Sequence, residues 1–149
     1  MNKHTIYAYQ KGVGLIEILI SLLVLAIGIL AVISLQANAL KSNQSSLERT
    51  QAVILSYAML DALRINRSAA LAGTYDMSKT CDAPSGDSLV KKDQQFWINS
   101  LKTGLGDVDT TCGEIDCDNT GLCVVRVYWN DERGKGGSSD QLIETRTKL

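Results

Sequence analysis

Residues 13–35 read VGLIEILISLLVLAIGILAVISL, and Glu17 is the single ionisable side chain among them. At a rise of about 1.5 Å per residue, a helix over this stretch is roughly 34 Å long, enough to cross a bilayer. A carboxylate near one end of such a segment is costly unless it finds a partner. A plain anchor would be better served by leucine at position 17. What Glu17 pairs with is therefore the question on which the reading of the chain turns.

The totals bound the rest. At 149 residues, the chain has room for one membrane helix and one small soluble domain. It is 45% hydrophobic, but much of that lies in the first third, so the soluble core is modest. A net charge of −1 with no basic bias argues against a nucleic-acid module. Pro84 is the single proline. Cys81, Cys112, Cys117 and Cys123 all lie beyond the hydrophobic run. An even count in a small soluble part points to two disulfides and an oxidising compartment. The spacings do not match a zinc pair and no histidine lies nearby, so no metal site is expected. Four cysteines admit three pairings, and the reading leans to Cys81–Cys112 with Cys117–Cys123.

Residues 1–12, MNKHTIYAYQKG, carry Lys3 and Lys11 and no acid. A secretory signal would place its apolar region before the cleavage site, whereas here it follows Gly12. Positive charge on the short N-terminal side holds that side in the cytoplasm and sends the remainder outside. KGVGLIE followed by an unbroken apolar run resembles the processing site of type IV prepilins. The resemblance implies that a prepilin peptidase cuts between Gly12 and Val13 and methylates the new Val13 amine. Relatives usually have Phe, Met or Leu first and Thr second, where this chain has Val13 and Gly14.

After such a cut, Glu17 lies one helical turn from the free amine, on the same face. A first-turn carboxylate is favoured by the helix dipole and accepts orphan N–H groups. In a stack of helices, Glu17 pairs instead with the Val13 amine of the next subunit. In a low-dielectric bundle this sets the register, because a slipped subunit strands both charges. The alternative is that Glu17 satisfies only its own helix end or a lipid headgroup.

The helical pattern continues over 36–73, with no proline and no glycine before Gly73, a stop signal. Leu40, Leu47, Ile54 and Ala58 form a stripe facing a partner, with Arg49, Arg64 and Arg67 on or near the other side. SNQSS at 42–46 is the weakest helical stretch. Gly28 reads equally as lipid-facing filler or as a point of close helix contact. The absence of a helix-disrupting proline resembles minor rather than major pilins. DALRINRSAALAGTYD at 61–76 resembles the end of the long helix in minor pilins of the PilV kind, the type IV pilus modification proteins. Minor pseudopilins of type II secretion share the first half and are the alternative.

Residues 74–149 read as a disulfide-stapled head. Tyr75–Gly86 reads as a loop. Asp87 or Ser88 caps a helix to about Lys102, with Val90, Trp97, Leu101 and Leu105 on one face and Trp97 in the core. Val124–Asn130 alternates as a half-buried strand, Gly134–Ser139 is a hairpin loop, and Leu142–Leu149 returns as its partner. Thr111–Asp116 adds a third strand. Asp107, Asp109, Glu114, Asp116 and Asp118 form an acidic block. DCDNTG at 116–121 resembles half a calcium loop, but a solvated turn is the better reading, since the twelfth position is Val127 and Cys117 lies inside. The expected fold is α+β and type IV pilin-like: one long N-terminal helix, its first half transmembrane, packed by a small antiparallel sheet with an extra helix.

The one histidine, His4, falls in the expected leader, so the processed chain has no imidazole base or metal ligand. No Gly-rich phosphate loop follows a strand, and neither catalysis nor a cofactor is expected. The resemblance implies a structural subunit that primes type IV pilus assembly within a minor-pilin tip complex and so supports adhesion and twitching motility. It also implies the partners: the prepilin peptidase, other minor pilins, the major pilin and a large tip adhesin. The chain would sit in the inner membrane with its head in the periplasm, then in the extracellular pilus. A DNA- or ligand-binding module on a membrane stalk is the reading from another class, and the lack of a basic run counts against it.

Overall fold

A computed structural model of the chain describes residues 12, 14–134 and 136–149. Seven elements follow in order: α1 (Leu15–Ile65), α2 (Arg67–Leu71), β1 (Met77–Thr80), α3 (Leu89–Leu105), β2 (Cys112–Cys117), β3 (Leu122–Trp129) and β4 (Gln141–Lys148). The chain divides into two compact units after Asn38. In the first unit α1 is predominantly apolar, with a mean hydropathy of 3.1 over an 18-residue window and none of that window buried. It is long and apolar enough to cross a membrane.

The second unit, Ala39–Leu149, holds the core. Its sheet has the order β1-β2-β3-β4, with every neighbouring pair antiparallel. Three sources fill the core: Ala52, Met59, Leu60 and Leu63 from α1, Trp97, Ile98, Leu101 and Leu105 from α3, and Ile115, Val125, Val127 and Trp129 from the sheet. Each large apolar side chain so buried contributes about 1.5–3 kcal/mol. The alternation in β3 places Val125, Val127 and Trp129 inward, with Arg126 and Tyr128 only half-buried on the other face. On α3, Ser88 caps the helix by accepting from Lys91 N–H. Trp97 donates its indole N–H to Leu55 O at 2.9 Å, tying α3 to α1. The Trp97 ring lies against Gly113 of β2, where any Cβ would collide with it. The fold is thus a pilin-like α+β arrangement.

Two local readings need correction. The helix expected to continue to residue 72 breaks at Asn66, whose backbone leaves the helical region at φ −109°, ψ 50°. The Asn66 side chain is drawn to the Tyr75 hydroxyl, at 3.4 Å, and asparagine is among the residues that compete best with helical backbone bonding. The chain restarts as α2 and stops at Gly73, at φ 70°. The expected loop 75–86 contains β1, which pairs Met77 with Ile115 and Thr80 with Gly113. Its sequence, MSKT, has no apolar alternation to reveal it. The helix α3 ends at Leu105 with Gly106 as its C-cap, and Gly104, in its last turn, packs on α1, a Cβ there lying 3.5 Å from Leu55 Cδ1.

Two disulfides staple the sheet. Cys81–Cys112 joins the segment after β1 to the start of β2, and Cys117–Cys123 links directly opposed residues of β2 and β3. They close separations of 31 and 6 residues. By loop-closure entropy they stabilise the head by roughly 4 and 2 kcal/mol, respectively. Serine at both Cys81 and Cys112 should therefore lower the unfolding midpoint more than serine at both Cys117 and Cys123. Near-ultraviolet circular dichroism of the full chain in detergent micelles, followed during heating, measures both.

Candidate functional site

The residues expected from the sequence to be functional lie at or just before the start of α1. Gly12 and Gly14 are exposed, while Val13 and residues 1–11, with the expected cleavage site and leader, lie outside the described residues. Glu17 is in the first turn. Its backbone N–H donates to Gly14 O at 3.0 Å, and its carbonyl accepts from Ser21 Oγ at 2.7 Å. Among the described residues its carboxylate has no hydrogen-bond or ion-pair partner, and it is exposed amid Leu15, Ile16, Ile18 and Leu19. A lone acceptor of charge −1 on an apolar cylinder is stable only beside a cation or water.

Further along α1, the helix separates two faces. Glu48, Ala52, Ser56, Met59, Leu60 and Leu63 are buried against the head. At 100° per residue, Leu40, Leu47, Ile54 and Ala58 project roughly opposite. All are exposed; Leu40 is 69% and Ile54 54% accessible. The stripe expected to face a partner therefore does not face the chain's own head. It continues into a groove of about 260 Å³ between α1 and α3, lined by Leu55, Ala58, Met59, Ile65, Phe96 and Trp97. Phe96 is 76% exposed. The sequence reading passed over Phe96, although it lies off the Val90–Trp97–Leu101 face and so signals an outward aromatic.

The three arginines lash α1 and α2 to the last strand and chain end. Arg49 donates to Gln141 Oε1 at 3.2 Å, Arg64 to Thr147 Oγ1 at 2.8 Å and Arg67 to Leu149 O at 3.3 Å.

The outer sheet face is polar and internally paired. Arg146 donates to Glu144, which pairs with Arg126 at 2.6 Å. Arg126 also bonds Glu114 at 2.6 Å, and the Tyr128 hydroxyl donates to the same carboxylate at 2.7 Å. Lys79 lies 4.1 Å from the Tyr128 ring centre. Hydrogen bonds from Arg126 and Arg146 hold Glu144 below the usual carboxylate range. Burial, with the Glu114 carboxylate beside it, pushes the Tyr128 hydroxyl up to about 12. The acidic block is largely engaged: Glu114 joins this ladder and Asp107 pairs with Lys102 at 3.1 Å. In the 116–121 stretch, Asp118 Oδ1 accepts from Thr120 N–H, Thr120 Oγ1 and Leu122 N–H. This carboxylate serves to hold the β2–β3 turn.

A family model, the prokaryotic N-terminal methylation motif, matches residues 7–33. No curated protein and no solved structure matches the chain. The motif indicates a type IV pilin or pseudopilin and does not separate the two. It implies processing by a prepilin peptidase and assembly with other pilins, from a membrane-anchored state. It points to a structural protein rather than an enzyme.

The ladder generates a pH test. Tyr128 titrates higher folded than unfolded, so its contribution is complete below about pH 10 and is lost as pH rises through about 12. Tyrosinate absorbance of the full chain should show a late step near that pH, and Tyr128→Phe should remove it.

Proposed function

We propose that the chain is a minor pilin of the PilV kind, cut between Gly12 and Val13, methylated on Val13 and built into type IV pili. The observation that carries this reading is Glu17: one carboxylate, in the first turn of an apolar helix, five residues after Gly12 and within the matched motif. In this reading residues 1–12 are the leader, 13–35 the membrane and fibre-core segment, 36–73 the amphipathic continuation and 74–149 the head. The cut creates an amine at Val13. Glu17 pairs with that amine on a neighbouring subunit, and the pairing fixes axial register because a slipped helix leaves two charges in a low-dielectric bundle.

The exposed stripe of Leu40, Leu47, Ile54 and Ala58 supports the same reading, since an apolar helix face turned away from its own head suits other helices. Helix packing together with the Glu17 pairing favours a nucleus of minor pilins. The major pilin polymerises from that nucleus, which sits at the fibre tip and carries a large adhesin. Before assembly the head is periplasmic, and afterwards it is extracellular.

Glu17→Ala should insert and be processed normally yet be depleted from sheared filaments, by immunoblot of membrane and filament fractions. Equal incorporation of the variant would sink the register mechanism. Loss of twitching with intact exoprotein release in a deletion strain supports the pilus reading. The reverse pattern makes the chain a minor pseudopilin of type II secretion.

A further inference from the structure

Two carboxylates are buried in the head, each with one oxygen left over. Glu48 on α1 is 4% exposed, and Asp131, just after β3, is 2% exposed. Glu48 Oε1 accepts from Gln44 Nε2 at 3.0 Å, and Asp131 Oδ2 accepts from Ser45 Oγ. Glu48 Oε2 and Asp131 Oδ1 have no hydrogen-bond partner. Among the described residues neither carboxylate forms an ion pair.

Ser45 connects the two. It bonds Asp131 directly and lies one helical turn before Glu48. The unpartnered Asp131 Oδ1 is turned toward Gly134, where a Cβ would collide with it and would stand 3.0 Å from Ser45 Cβ. Gly137 also lacks room for a Cβ, beside Asp131 O. Gly134 and Gly137 therefore lie close against Asp131, and among the described residues its Oδ1 has no hydrogen-bond partner.

Buried charges without a counter-charge are strongly destabilising, and a buried carboxylate is ordinarily paired or bound to a metal. The donors here are oxygens alone, with two carboxylates and a hydroxyl and no sulfur or imidazole among them. That set selects a hard divalent cation. Calcium tolerates irregular geometry and mixed carboxylate, carbonyl and water ligands, whereas magnesium demands a tight octahedron. We propose that Glu48 Oε2, Asp131 Oδ1 and Ser45 Oγ form a seat for one divalent cation of the calcium class, which clamps the β3–β4 connection to α1. This seat is distinct from the 116–121 turn, whose Asp118 carboxylate is already engaged, and it does not rest on the fibre reading.

The test uses the full chain in detergent micelles, stripped with chelator, with calcium binding followed by equilibrium dialysis and unfolding followed by heating. The expected result is one calcium per chain, with a dissociation constant of about 10⁻⁴–10⁻³ M as in extracellular sites, and a raised unfolding midpoint with calcium but not with magnesium. Glu48→Gln and Asp131→Asn, both close in shape, should each weaken binding about tenfold or more. Asp118→Asn should leave it unchanged. No calcium bound through the millimolar range overturns the proposal, as does binding that survives both buried-site variants and is lost in Asp118→Asn. Binding that appears only in Lys135→Met also overturns it, by making that loop lysine the native counter-charge.

Discussion

One helix has to satisfy two solvents. The first part of α1 is overwhelmingly apolar and unburied; from Glu48 on, one face is committed to a protein core. Nothing in the backbone marks the change, because residues 15–65 form one uninterrupted helix. The change lies wholly in the side chains: leucine and isoleucine all round, then small or sulfur-bearing residues such as Ala52, Ser56 and Met59 on the inward face. α3 is tied to α1 through the Trp97 indole, which bonds the Leu55 carbonyl at 2.9 Å. Gly113 completes the contact from the sheet side, where only a residue without a side chain clears the Trp97 ring.

The head meets its surroundings differently on its two faces. Inward, it is a close-packed apolar layer. Outward, it is a chain of ion pairs from Arg146 to Glu114, ending in the Tyr128 hydroxyl and the Lys79 ammonium. A polar surface that already satisfies itself offers little to a partner and resists non-specific pairing. Most of the apolar surface left over is on the helices, along Leu40–Leu47–Ile54 and around Phe96, with Leu122 and Leu142 exposed on the strands. This distribution is consistent with a subunit whose neighbours approach from the helix side.

Much of this was legible in the sequence, for physical reasons. The apolar run announces a spanning helix by length alone. Strict alternation exposes β3, because Val125, Val127 and Trp129 point one way and Arg126 and Tyr128 the other. Ser88 and the Val90–Trp97–Leu101–Leu105 spacing expose α3. What was hidden depends on long-range partners. MSKT becomes a strand because β2 and the Cys81–Cys112 bond hold it, not through any propensity of its own. Asn66 breaks the helix by reaching across to Tyr75. Glu48 looks like a solvated helical charge, and Asp131 like an ordinary turn residue, until the fold closes over both. At the start of α1, Glu17 stood out because it is the single ionisable side chain in an apolar run.

The order of the strands carries a consequence for maturation. β1 precedes α3 in the chain, yet it covers the open side of β2, which is made only after α3. Four residues paired with a bulge make a weak cover, and the covalent link to Cys112 keeps it in place. A head whose thiols are still reduced thus presents β2 as an adhesive margin to any passing strand. Oxidation is for this protein a guard against aggregation as much as a source of stability.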